Sequence, residues 1–239
     1  MSFLMEFNGN VLPIKILDVH GRGPLVQEVT RNVVSGQDGS YFIKRRLPDR
    51  SLSVSFMIPN AKSLNELRKK TDDLSRLLYV DHPSKIVFSD ESNRYYRGIL
   101  DGEPDWDELM SYGIGTLPFI REPFKYGDRV NLHAKAEIQN EGTNDASPVF
   151  KVVFKAAVDE FIVSHQETGG SVRVIWNFVA GDKLIIDLEK RKIIINGNVR
   201  MDAYDWRNQP FKLKAGANNV QINHESEVDV EVEFTPRWI

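Results

Sequence analysis

The amino-acid sequence predicts a mainly β protein built of antiparallel sheets, and three observations carry that prediction. In residues 183–199, KLIIDLEKRKIIINGNV, Leu184, Ile186 and Leu188 alternate with Ile185 and Asp187, the period of two of a half-buried strand. Asn196-Gly197 follows Ile193-Ile194-Ile195 and most readily supplies the two positive φ values of a tight hairpin turn. From Leu132 onward, strand-like runs recur about every ten residues with turn signals between them, the pattern of a sandwich. A single amphipathic helix, 63–79, interrupts this β character.

Taken in order, residues 3–15 read as short strand material with Asn8-Gly9 as a turn inside it. Residues 25–58 read as one long hairpin with a loop tip at Ser35-Gly36-Gln37-Asp38-Gly39-Ser40. Its distal half is too polar to cover a core alone, and it carries Arg31, Lys44, Arg45, Arg46 and Arg50 against Glu28, Asp38 and Asp49. Leu52, Val54, Phe56 and Ile58 alternate with Ser53, Ser55 and Met57, so that run has one buried face. Pro59-Asn60 ends it. Ser63 and Glu66 then form a capping box, and Leu64, Leu67, Leu74, Leu77 and Leu78 fall on one side of the helix.

Asp81-His82-Pro83 stops the helix. Strands are expected at 86–88 and 94–100, an acidic loop at 101–108, and a strand at 110–120 with a bulge or bend at Gly113 and Gly115. A domain boundary falls just after the turn 121–128, giving domains 1–130 and 131–239. Strands in the second domain are expected at 132–138, 149–155, 160–166, 171–178, 183–188, 192–195, 199–204, 211–213, 218–223 and 227–235.

Composition narrows the function. The 239 residues are 41% hydrophobic, enough for genuine cores, and 31 Lys+Arg nearly balance 34 Asp+Glu. That balance argues against a nucleic-acid partner, which would call for a strongly basic face. Without cysteine there are no disulfides, thiolate metal sites or cysteine nucleophiles. No apolar run approaches the roughly 18 residues that span a bilayer, and MSFLMEFNGNV has no basic leader, so a soluble chain without a membrane partner is expected.

No catalytic, cofactor-binding or metal-binding constellation emerges. His20, His82, His133, His165 and His224 are scattered singly and read as turn or rim residues. Asp101, Glu103, Asp105 and Asp107 alternate, but the sixth and twelfth positions of a calcium loop would be Trp106 and Tyr112 in place of glycine and glutamate. Gly113-Ile114-Gly115 lacks the rest of a phosphate cradle, and no serine sits in a nucleophile motif. Of the tryptophans Trp106, Trp176, Trp206 and Trp238, Trp176 reads as core, whereas Trp206 is the best surface candidate for a ligand or partner.

The order of elements resembles the distal tail proteins of long-tailed (siphovirus) bacteriophages and related prophage tail components. The resemblance runs through F-N-G near the start, the hairpin segment SGQDGSYFIKRRLPDRSLSVSFMIP and the capped helix. It continues through DHPSKIVFSDESNRYYRGILDG, the break near KYGDRV and the ending EVEFTPRWI. It implies an N-terminal sandwich- or barrel-like β domain, with its covering helix and long hairpin, that closes into a homohexameric ring. It also implies a C-terminal galectin-like antiparallel sandwich. The implied partners are the same chain, the major tail tube protein, and the tail-associated lysin or tail fibre protein, with the tape measure and receptor-binding proteins beyond them. The place is the virion tail tip, after assembly in the host cytoplasm.

Carried onto this sequence, the hairpin contact would use Arg31, Gln37, Asp38, Tyr41, Lys44, Arg45, Arg46 and Arg50. A galectin sugar site is not implied, because neither H-x-N-x-R nor W-x-x-E-x-R occurs. The expectation is a non-enzymatic structural hub without cofactors. A carbohydrate-binding module using Trp206 is the alternative, and a hydrolase using the 101–108 carboxylates is a third reading of little weight.

Overall fold

A computed structural model describes residues 3–24, 26–59, 61–108, 113–133 and 137–239. Leu25, Asn60, the start of the expected 110–120 strand and the middle of the expected 132–138 strand lie outside the described residues. The chain divides into two compact units, 1–126 with residue 239, and 127–238. The fold is mainly β, with antiparallel pairing in its main sheets.

In the first unit, β1 (Met5–Phe7), β2 (Asn10–Val11), β3 (Lys15–His20), β6 (Arg50–Ile58), β7 (Ser84–Phe88), β8 (Tyr96–Leu100) and β10 (Gly113–Arg121) form one sheet in the order β2-β1-β7-β8-β10-β6-β3. The alternation read in β6 holds, with Leu52, Val54, Phe56 and Ile58 all buried. Asn8 and Gly9 take φ values of 50° and 78°, so the tight turn pairs Phe7 with Asn10 as expected.

The helix α1 (Leu64–Leu78) begins on Ser63, whose hydroxyl accepts the Glu66 N–H at 3.2 Å. Glu66 reaches back to the Lys62 N–H at 2.9 Å, one residue earlier than a standard capping box. Leu67, Leu74 and Leu78 are buried and Leu77 is half-buried, whereas Leu64 points to solvent. The leucine set is therefore narrower than five, because Leu64 sits in the first turn before the helix reaches the core.

Three expectations in this unit need correction. The long hairpin does not run to Ile58. Instead, among the described residues, β4 (Glu28–Asn32) and β5 (Tyr41–Arg46) form a separate two-stranded sheet, and β6 is a core strand between β3 and β10. The segment 101–108 is not all loop, since β9 (Asp105–Glu108) pairs with β10 from Gly113↔Glu108 to Thr116↔Asp105. Gly113 and Gly115 make no bulge there; the β10–β6 register is unbroken. A Cβ on Gly113 would enter the Trp106 ring, and one on Gly115 would lie 2.5 Å from the Asp105 carbonyl. The glycines admit Trp106, which stacks on Phe56 with ring centres 5.6 Å apart. β11 (Lys125–Tyr126) follows, with Tyr126 bridged to Tyr95.

The second unit is a two-sheet sandwich. One sheet has β12 (Val130–His133), β14 (Val149–Phe154), β17 (Lys183–Asp187), β18 (Lys192–Ile195), β19 (Asn198–Val199) and β21 (Val228–Phe234), ordered β12-β21-β14-β17-β18-β19. The other is β13-β20-β15-β16, from β13 (Glu137–Asn140), β15 (Val158–His165), β16 (Gly170–Phe178) and β20 (Gly216–Ile222). Between them Phe154 stacks on Phe178 at 3.9 Å and meets Phe161 edge-on at 6.1 Å. The short β22 (Arg237–Trp238) ends the unit, and Trp238 lies over Gly127, where a Cβ would sit 2.8 Å from the ring.

The turn at Asn196-Gly197 forms as read, with φ of 50° and 81° and Ile195 paired to Asn198. The expected 132–138 strand is two strands in opposite sheets. The expected 199–204 strand is β19 followed by a 3-10 turn at 201–203, and 211–213 contributes one bridge, Ala146↔Leu213. Trp176 is half-buried at the core's edge under the Arg200 guanidinium, 4.8 Å from its ring centre.

Candidate assembly interface

Glycines at both ends of its tip shape the β4–β5 hairpin. Gly36 and Gly39 have φ of 83° and 86°, the Gln37 N–H donates to the Val34 carbonyl at 3.2 Å, and the Tyr41 hydroxyl donates to Gln37 Oε1 at 2.6 Å. The register pairs Glu28 with Arg46 and Thr30 with Lys44, slips at Thr30/Arg31, then pairs Arg31 with Phe42 and Asn32 with Tyr41. Arg46 hydrogen-bonds Glu28 and thereby holds its carboxyl below the usual range.

Every residue of both strands is exposed. Tyr41 and Phe42, in unbroken register with Asn32 and Arg31, point to opposite faces, and Ile43 is the extra residue at the slip; the three are 59%, 63% and 55% exposed. Val33 is 72% exposed beside the tip. A two-stranded ribbon is marginal in water by itself, and a contiguous exposed apolar patch marks an interaction surface. The ribbon thus offers apolar contacts on both faces, framed by cations.

Of the eight candidate contact residues, Arg31, Gln37, Asp38, Tyr41, Lys44, Arg45 and Arg46 sit on this hairpin and are exposed. Arg50 does not. It opens β6, is half-buried, donates to the Gly23 carbonyl at 3.0 Å and lies in register with Arg121. Arg121 is itself buried, donating to the Gly21 carbonyl at 2.9 Å and lying over the Tyr96 ring at 4.4 Å. Burial, with Arg50 adding repulsion, pulls its pKa down to about 10, so it stays charged at neutral pH. Sequence reading overlooked Val29, Val33, Phe42 and Ile43. Their signal was the run Tyr41-Phe42-Ile43, which cannot place all three side chains against one core.

Trp206 is 72% exposed, as expected of a surface aromatic. It sits in the second unit on the turn 204–208 and meets Tyr204 edge-on at 4.9 Å. Among the histidines, His165 departs from the rim expectation. It is buried, stacks on Phe211 and hydrogen-bonds Thr168 at 2.8 Å and Asn218 Oδ1 at 2.9 Å. With Asn140, whose amide donates to the Asn144 and Lys214 carbonyls, it belongs to a buried polar network that ties down the loops beside β20. No group of three or more metal-ligating side chains occurs among the described residues.

Comparison with known proteins agrees with this architecture. Residues 14–121 match the model of the phage tail protein RIFT-related domain, and residues 141–238 match the C-terminal domain of the siphovirus-type tail component. The distal tail protein of Bacillus phage SPP1 is 29% identical over 227 residues, covering 90% of this chain and 89% of that one. The crystal structure of the SPP1 Dit protein, described as a paradigm of the hub adsorption apparatus in phages infecting Gram-positive hosts, superposes with a TM-score of 0.88 at 22% identity over the whole of both chains. A chain of the phage p2 baseplate in its activated conformation has a TM-score of 0.50 at 8% identity over 97% of each chain, a likeness of fold. With both halves matched in order and the curated relative aligned almost end to end, the chain belongs to the siphovirus distal tail proteins, structural hub components of the phage tail.

Proposed function

We propose that this chain assembles into a homohexameric ring at the tail tip, in which the β4–β5 hairpin of each subunit lies on its neighbour. The observation that carries the proposal is the hairpin itself, apolar on both faces and wholly exposed in the single chain. Arg31, Lys44, Arg45 and Arg46, with Asp38 at the tip, supply the charges that set register between subunits. A closed ring repeats one heterologous contact, so a projecting ribbon on each copy needs one complementary surface on the next. In this reading domain 1–130 forms the ring and domain 131–239, a galectin-like sandwich, is the platform for other tail-tip proteins.

The ring would stack on the major tail tube protein on one side and meet the tail-associated lysin or fibre protein on the other, with the tape measure and receptor-binding proteins as further neighbours. The role is structural and non-enzymatic, in the virion tail tip after assembly in the host cytoplasm. Light scattering coupled to size exclusion tests it. Six copies of 27.4 kDa give about 164 kDa, or about twice that for two rings back to back. Phe42→Asp combined with Ile43→Asp should return the complex to monomer with an unchanged circular dichroism spectrum. A wild-type monomer at micromolar concentration that also fails to join tail-tube or lysin partners overturns the proposal.

A further inference from the structure

An open cleft of about 570 Å³ lies in the second unit between the β17–β18 turn and the segment 201–210. That volume is in the range of small-molecule sites. Its apolar wall is Leu188, Ile193, Met201, Tyr204 and Trp206, and its polar rim includes Arg191, Lys192 and Asn208. We propose that this cleft binds an anionic saccharide: a pyranose ring laid on Trp206, with its phosphate or carboxylate held by Arg191 and Lys192.

The charge argument comes first. Asp187 also lines the cleft with one negative charge, its Oδ1 accepting the Lys190 N–H at 2.8 Å and its position opposite Lys192 in the β17–β18 pair. Arg191 and Lys192 are in no ion pair within 4 Å among the described residues, and with Asp187 opposite Lys192 the three charged groups leave the rim net positive by one. The other nearby cations are engaged elsewhere: Arg207 on Asp205 at 2.9 Å, Arg200 over Trp176. An anionic ligand complements this rim and a neutral one does not.

The second argument is preorganisation. The Tyr204 hydroxyl donates to the Asn208 carbonyl at 3.0 Å, and the Asp205 N–H donates to the Arg173 carbonyl at 3.0 Å. Asn208 Oδ1 accepts the Ser171 hydroxyl at 2.9 Å. These bonds fix the turn while leaving the Trp206 ring open on the cleft side, so little order is lost on binding. Tyr204 stands edge-on behind it. A flat, rigid, exposed aromatic beside hydrogen-bonding groups suits the apolar face of a sugar ring, and the site lies outside any galectin motif, of which the chain has none.

The test is calorimetric titration of the full chain at low salt with α-D-glucose 1-phosphate, D-glucuronate, glucose and inorganic phosphate. The expected result is millimolar or tighter binding of one or both anionic sugars, with glucose and phosphate each weaker by about tenfold or more. Trp206→Ala should lower affinity about tenfold, and Arg191→Gly several-fold with steeper loss at rising salt. Arg191→Gly is informative because Arg191 has φ of 54°, a conformation glycine adopts freely, so the fold is kept while the charge is removed. Phosphate-bearing and carboxylate-bearing ligands are told apart by which sugar binds. The proposal fails if neither anionic sugar binds at roughly 20 mM, if glucose or phosphate alone binds as well, or if Trp206→Ala binds unchanged.

Discussion

Strands β5 and β6 are separated by three residues and are both rich in β-forming side chains, yet one is wholly exposed and the other has a wholly buried face. The difference is phase. In β6 the apolar residues Leu52, Val54, Phe56 and Ile58 keep one parity, so all face the core. In β5 the run Tyr41-Phe42-Ile43 puts apolar groups on both faces and Lys44-Arg45-Arg46 puts charge on both. No register of β5 can bury its apolar groups on its own sheet without also burying a cation. A strand of that kind has no single face to give to its own core, and it stands exposed in the single chain.

The largest effect should come from breaking the buried side. Phe56 is 1% exposed and stacks on Trp106, so Phe56→Ala should cost about 3–5 kcal/mol, read as a lower urea midpoint. Phe42→Ala, at a concentration where the chain is monomeric, should stay within about 0.5 kcal/mol of wild type. Equal losses for the two would mean that β5 is packed within the subunit after all.

Gly115→Ala sharpens the same contrast at a backbone position. Its Cβ would lie 2.5 Å from the Asp105 carbonyl and 2.9 Å from the Trp106 ring, so β9 must move; a loss of about 1–3 kcal/mol with altered tryptophan fluorescence is expected. On the hairpin, Gly36→Ala meets no atom within 4 Å and strains only a positive φ, at a cost near 1 kcal/mol confined to the tip. Loss of global stability in Gly36→Ala would contradict an independent hairpin.

Much of this was legible in the sequence, for reasons that the two strands make plain. Strict alternation in 52–58 and 184–188, Asn-Gly at 8–9 and 196–197, and Ser63 before a leucine-spaced helix are local signals, and each appears where it was read. What failed was non-local. Nothing in Leu25–Ile58 says that the chain leaves the hairpin at Arg46 and joins a sheet between β3 and β10, since pairing depends on residues near 16 and 117. Likewise Gly113 and Gly115 declare a need for space but not that Trp106 fills it. The exposure of the hairpin was partly legible: its charges and Tyr41 stood out, whereas Phe42 and Ile43 carry no local sign that they lie exposed. His165 was misjudged because, although Thr168 is local, its other partner Asn218 is brought beside it only by the pairing of β15 with β20.

The smallest effect compares two ion pairs, one on the hairpin and one on the turn beside the cleft. Hydrogen bonds from the Arg207 side chain and its backbone N–H, with Arg173 nearby, hold the Asp205 carboxyl at about 2, against 3.8 ordinarily. A carboxyl lowered on folding stabilises the folded form above its unfolded value and loses that contribution as pH falls through its folded value. The turn carrying Trp206 should therefore stay ordered as pH drops to about 4 and loosen between about 4 and 2. Glu28 is lowered in the same direction by Arg46, but both are largely exposed, so 0.5 M salt should weaken that pair more than the one at Asp205. A carbon-detected NMR titration follows both carboxyls. Asp205→Asn should abolish the acid-dependent shift of the Trp206 indole signal and leave the Glu28 curve untouched; an Asp205 midpoint near 3.8 would show the turn to be as loosely held as the hairpin.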